Sequence, residues 1–229
     1  MDGDTFRAAR KHLGWTQTAA AARLGVSQSY VALLEKGHRR LPPKLARKAV
    51  RIFRLPAGLL PLSGKDLSIV TPSELARDLG RLGYPGFAYL RGAPMKNPGE
   101  VLLAALARPQ LDSRIAEALP WLLLNNPELD NSWLVTQARL LNVTNRLGFA
   151  VDLARRVCER NGETKTSRYR GLSRLADSLR VGRLEAEDTF AQDSLTEAER
   201  DWLRVNRSAD ARAWHLLTDW RPELLPYAK

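Results

Sequence analysis

The sequence predicts an all-α protein built from two unequal helical units, and three observations predict it. Sustained apolar/polar alternation rich in Val, Ile and Thr is missing, while Ala, Leu, Arg and Glu dominate. Helix-start signatures recur along the chain, at Thr16, Ser27, Thr71, Asp112, Asp130 and Thr196. The Pro- and Gly-rich run LPAGLLPLSGKD, residues 55–66, separates a basic N-terminal quarter from the larger remainder. A chain of 229 residues suits two cores of ordinary size. The expected organisation is a small basic helical domain at 1–58, a connection at 59–70 and a helical domain of stacked antiparallel helices at 71–229.

Charge is concentrated rather than spread. Of the net +11, residues 1–55 contribute +9, from 12 Lys or Arg against 3 Asp or Glu. Residues 145–183 carry 10 basic and 4 acidic side chains (+6), and residues 184–229 carry 6 and 10 (−4). A basic excess confined to one small domain points to a polyanion as its partner. One cysteine, Cys158, excludes an internal disulfide, and His12, His38 and His215 have no metal-ligand spacing, so neither a metal nor a cofactor is expected. The start, MDGDTFRAARKHLG, lacks an apolar core, and the most apolar run, Ala118–Leu124, is far shorter than the ~20 residues of a membrane span. The expectation is a soluble, cytoplasmic protein with no membrane contact.

Residues 4–54 read as five short helices. Within them stands TQTAAAARLGVSQSYVALLEKG, residues 16–37. Counting from Gln17, Ala21 is small where two helices meet, Gly25 suits a left-handed turn, and Val31 and Leu34 lie three apart on one helix face. Leu24 and Val26 bracket the turn and should be buried. Thr16 and Ser27 are each placed as an N-cap, which leaves two sets of backbone N–H groups directed outward for phosphate oxygens. Gln17 sits in the first of these turns. Gln28 and Ser29 open the second helix on its solvent side, and a glutamine there can pair with adenine N6 and N7. Leu33, one turn on, can meet a thymine methyl. Tyr30 reads as core edge or phosphate contact, and Lys36, Arg39, Arg40 and Lys44 as backbone grips that make binding salt-dependent.

This pattern resembles the Cro/CI type, or XRE family, of helix-turn-helix domains, over about residues 4–54. Arg10 and Glu35 stand where that family pairs an arginine of the first helix with a glutamate ending the recognition helix, and Arg47–Leu55 resembles its closing helix. The resemblance implies five helices and a homodimer bound to a palindromic operator in double-stranded DNA. Leu33 departs from it, since many members have a polar or charged residue there.

In the remainder, Thr71-Pro72-Ser73-Glu74 opens a helix to Leu82 with a capping box. Residues 82–100 are punctuated by Gly and Pro, and helices follow at roughly 99–107, 112–124, 130–141 and 143–160. PQLDS at 109–113 is matched by PELDN at 127–131, either as a shortened repeat or as two antiparallel helices with similar caps. Gly162–Arg170 reads as a solvated loop, with a mobile basic segment or a phosphate contact as alternatives. Thr196–Glu199 forms a capping box opening a helix through Trp202 and Leu203, against which Trp214 and Trp220 pack.

The segments LARDLGRLGYPGFAYLRG and EALPWLLLNNPELDNSWL look similar to helical regions of regulators encoded beside nucleotidyltransferase-type toxins. That resemblance implies an antitoxin whose residues 71–229 hold a toxin while the N-terminal domain represses the shared operon. An enzyme has less support. Gly64-Lys65-Asp66 lacks the remaining residues of a phosphate-binding loop, as does Gly83–Gly92. Arg7 and His12 have a spacing seen in some helical ribonucleases, but five residues on one helix align poorly. Cys158 reads as a small core residue, and Tyr84, Phe87 and Tyr89 as a packed loop. No catalytic residue is assigned. The reading is a sequence-specific transcriptional regulator, a repressor being its narrower form.

Overall fold

The computed structural model describes residues 1–64, 66–67, 69–90 and 94–228. Lys65 and Gly92, on which the two phosphate-loop readings partly turn, lie outside them. The chain divides into two compact units, Met1–Lys65 with Met95–Asn97, and Asp66–Pro94 with Pro98–Lys229.

The first unit holds four α-helices among its described residues: α1 (Gly3–His12), α2 (Gln17–Leu24), α3 (Gln28–Glu35) and α4 (Pro43–Phe53). Each of the first three is started by a side chain that accepts a backbone N–H, Asp2 from Thr5, Thr16 from Ala19 and Ser27 from Tyr30. Pro43 starts α4 at its first position, four residues before the closing helix expected at Arg47, because its fixed φ suits a helix entrance. Where five helices were expected, a 3-10 turn at Ala57–Leu59 takes the fifth place. Pro61 explains this, since a residue before proline is driven out of the α region, and Leu60 is extended at φ −63°, ψ 142°. Phe6, Ala20, Ala21, Leu24, Val31, Leu34, Ala49 and Phe53 form the core. Leu60 packs with Ala46 and Val50 in a small extension of it. The Asn97 amide donates to the carbonyls of Gly58 (3.0 Å) and Leu60 (2.8 Å), which ties Met95–Asn97 to this unit.

The second unit contains α5 (Pro72–Arg81), α6 (Pro98–Leu106), α7 (Ser113–Asn125), α8 (Asn131–Leu140), α9 (Thr144–Arg160), α10 (Ser167–Arg180), α11 (Glu197–Asn206) and α12 (Ala209–Ala213). The capping boxes Thr71/Glu74 and Thr196/Glu199 are both formed, and Asp112 and Asp130 cap α7 and α8. Helix α6 is buried along its whole length, as an apolar stretch without a polar face must be. Helices α9 and α10 pack as a hairpin. The loop expected at Gly162–Arg170 ends at Thr166, whose hydroxyl accepts from the Tyr169 N–H and starts α10. Gly148 lets the Trp214 ring lie on α9, where a β-carbon would run into it, and the indole N–H donates to Asp152 at 2.7 Å. Trp220 is half-buried against the same core.

One departure from an all-helical chain exists among the described residues: β1 (Asp188–Thr189) pairs in parallel with β2 (Leu216–Leu217). Tyr84 and Phe87 are buried beside Trp121, whereas Tyr89 is exposed and outside that packing. Cys158 is fully buried, and burial pushes its thiol above the ordinary range. No described helix is long and apolar enough to cross a membrane.

Candidate nucleic-acid interface

The turn between α2 and α3 is closed by Gly25 at φ 73°, ψ 40°, a left-handed conformation that a β-carbon disfavours. Its N–H donates to Ala21 O and Ala22 O, satisfying carbonyls that the end of α2 leaves open. Lys48 of α4 reaches across and donates its Nζ to Leu24 O at 2.7 Å, a cation on the negative end of α2. Ala21, Val31 and Leu34 are buried where the helices meet, Leu24 with them, and Val26 is half-buried.

Beneath the exposed tip of α3 lies a chain of hydrogen bonds. Arg10 grips Glu35 with two parallel bonds, Nε to Oε1 at 2.5 Å and Nη2 to Oε2 at 3.0 Å, and its Nη1 donates to Trp15 O at 2.6 Å. Arg7 adds a second cation 3.6 Å from Glu35. The Glu35 Oε2 also accepts from Gln17 Nε2 at 2.9 Å, and Gln17 Oε1 accepts from Gln28 Nε2 at 2.7 Å. Burial alone would raise the Glu35 carboxyl. Bonds from Arg10 and Gln17 and the charges of Arg10 and Arg7 outweigh it, and the carboxyl is held below its ordinary range. The same bond to Glu35 raises the Arg10 guanidinium. This end of the domain therefore stays ionised and fixed.

Thr16 and Ser27, the expected caps, do cap, with hydroxyl-to-N–H distances of 3.1 Å each. Each takes one N–H only, so the N–H groups of Gln17, Thr18, Gln28 and Ser29 in the opening turns have no partner within their helices. Gln28 and Ser29 are exposed and Tyr30 is half-buried against the core. Leu33 is 37% exposed, a large apolar side chain left on the same helix. Lys36, Arg39, Arg40 and Lys44 are exposed beyond it. Sequence reasoning missed three features here: Gln17 as the brace of Gln28, Lys48 as the cap of α2, and Arg23 stacked over Trp15 at 4.2 Å. Each joins residues from different elements, or across a turn, that no local pattern pairs.

Residues 6–60 match a family model described as helix-turn-helix. Against curated proteins and solved structures, no significant match to this chain exists.

Proposed function

We propose, from the premise that residues 6–60 form a Cro/CI-type helix-turn-helix domain, that this DNA-binding protein represses transcription as a homodimer on a palindromic operator. Helix α3 enters the major groove, Gln28 and Ser29 meet base edges, and Leu33 meets a thymine methyl. The N–H groups opening α2 and α3, with Lys36, Arg39, Arg40 and Lys44, take phosphates on either side. Tyr30 borders that contact from the core edge.

The observation that carries this reading is the brace Arg10–Glu35–Gln17–Gln28, which fixes a polar, exposed side chain at the tip of a short helix. A solvated glutamine with no reading role has no need of three supporting residues, and restraint before binding reduces the ordering cost of recognition. The net +9 of residues 1–55 supports the same direction. In this reading the second unit serves association rather than catalysis. A mobility-shift assay of the full chain on DNA from upstream of its own gene tests it: the expected result is a shifted complex that an excess of unrelated duplex does not compete away. Equal competition by unrelated duplex overturns the sequence-specific reading.

A further inference from the structure

Two exposed apolar patches in the second unit carry opposite charge. The first is an open cleft of about 370 Å³ between α11 and the β1/β2 pair, with Phe190, Leu195, Trp202 and Leu217 among its walls and Glu199 and Asp219 at its edge. No cation lines it. Trp202 is 57% exposed and Val205, one turn on, 75% exposed, an arrangement that a monomer gains nothing from. The nearby cations are engaged: Arg204 by Glu187, Glu197 and Asp201, Arg207 by Glu187, and Arg200 by the Leu195 carbonyl. Asp193 and Asp219 have no cationic partner among the described residues, which matches the −4 of residues 184–229.

The second patch lies where α8 and α10 end. Arg139 rests on the backbone of Gly182, its Nε 2.6 Å from where a β-carbon would stand, and this brings the two helix ends together. Leu140 and Val181, the neighbours of those two residues, are 71% and 85% exposed. Arg139 and Arg183 have no carboxylate partner among the described residues, whereas Arg180 beside Val181 is paired with Asp177 and Asp152, so Arg139 and Arg183 carry the positive charge of this patch. Residues 183–187 connect the patches. Arg183 donates to Ala213 O at 2.7 Å, and Glu187 accepts from Arg204 and Arg207 of the region around the cleft.

We infer that the occupant of the cleft is a second copy of this chain, whose Leu140 and Val181 enter beside Trp202 with Arg139 set against the acidic edge. Apolar surface supplies the attraction and the opposite charges fix the orientation. Each copy both gives a knob and receives one, so a two-fold pair satisfies both contacts and closes. This deepens the dimeric part of the function proposed above by naming its surface.

Sedimentation of the full chain without DNA tests it. The expected result is a dimer whose dissociation constant rises with salt. Trp202→Ala and, separately, Val181→Asp each raise that constant by about thirtyfold or more, as loss of a central anchor does. All these positions are exposed, so folding is retained, and helical circular dichroism checks it. An equimolar mixture of the two variants, which restores one intact contact of the two, associates more tightly than either alone. Tyr89→Asp, exposed elsewhere, leaves the dimer unchanged. A chain that stays monomeric up to roughly 100 μM, or a dimer insensitive to both variants, overturns the inference. The two readings fail separately: a dimer that shifts its operator but is insensitive to both variants sinks this one alone, and a variant-sensitive dimer that protects no DNA sinks the DNA reading alone.

Discussion

Gln17 accepts a hydrogen bond from Gln28 at 2.7 Å, so the side chain expected to lie near phosphate also braces the side chain expected to read a base. Replacing Gln28 by Ala should lower the preference for operator over scrambled duplex by about 1–3 kcal/mol, the usual value of a bidentate glutamine contact. Gln17→Ala should lower it as well, and the double variant should lose less than the sum of the two. Competition binding by fluorescence anisotropy measures all three. An unchanged ranking of sequences in Gln28→Ala removes it from base reading.

Arg39→Ala and Arg40→Ala should act differently. Both side chains are exposed and carry no base-reading geometry. Each substitution should weaken operator and unrelated duplex alike and reduce the slope of log K against log salt by about 1. A salt titration of the binding constant gives the answer directly.

Glu35 is the anchor of the brace, and its carboxylate is buried against Arg10. Glu35→Gln keeps the shape but leaves the guanidinium uncompensated, at a cost of about 3 kcal/mol to the first unit. The pH dependence has a fixed sign. The folded carboxyl ionises below its ordinary value of 4.5, so the pair stabilises the fold above that pH and the contribution is lost as pH falls through the lowered value. Hydrogen exchange in α1–α3, measured between neutral and acid pH, should show that loss in the wild type and not in Glu35→Gln.

Gly25→Ala should destabilise the first unit by about 1 kcal/mol, because alanine in a left-handed turn is strained. Space is the smaller obstacle: a β-carbon would stand 3.3 Å from Lys48 Nζ, which would have to shift slightly on the Leu24 carbonyl it caps. Gly148→Ala is the opposite case, with ordinary backbone and no room beside the Trp214 ring, and overpacking there should cost about 1–3 kcal/mol in the second unit. Urea unfolding of the two variants measures both losses.

The first unit was legible where function depends on local pattern. Thr16, Ser27, Gly25 and the spacing of Ala21, Val31 and Leu34 are short-range signals, and the Arg10–Glu35 pair followed from the family resemblance. Gln17–Gln28 and Lys48–Leu24 were hidden because they join helices 11 and 24 residues apart in sequence. In the second unit most of the capped helices were readable, but α10 was not foreseen, because its Thr166 cap stands among polar neighbours that also suit a loop. The β1/β2 pair had no signal at all, since two residues cannot display an alternation.

The burial of Cys158 has a practical consequence. This lone thiol, fully enclosed and pushed toward its protonated form, should ignore maleimide for as long as α9 and α10 stay together. A probe can then be attached at any cysteine newly placed on the surface without first removing the native one, and slow labelling of Cys158 itself becomes a clock for the opening of its hairpin.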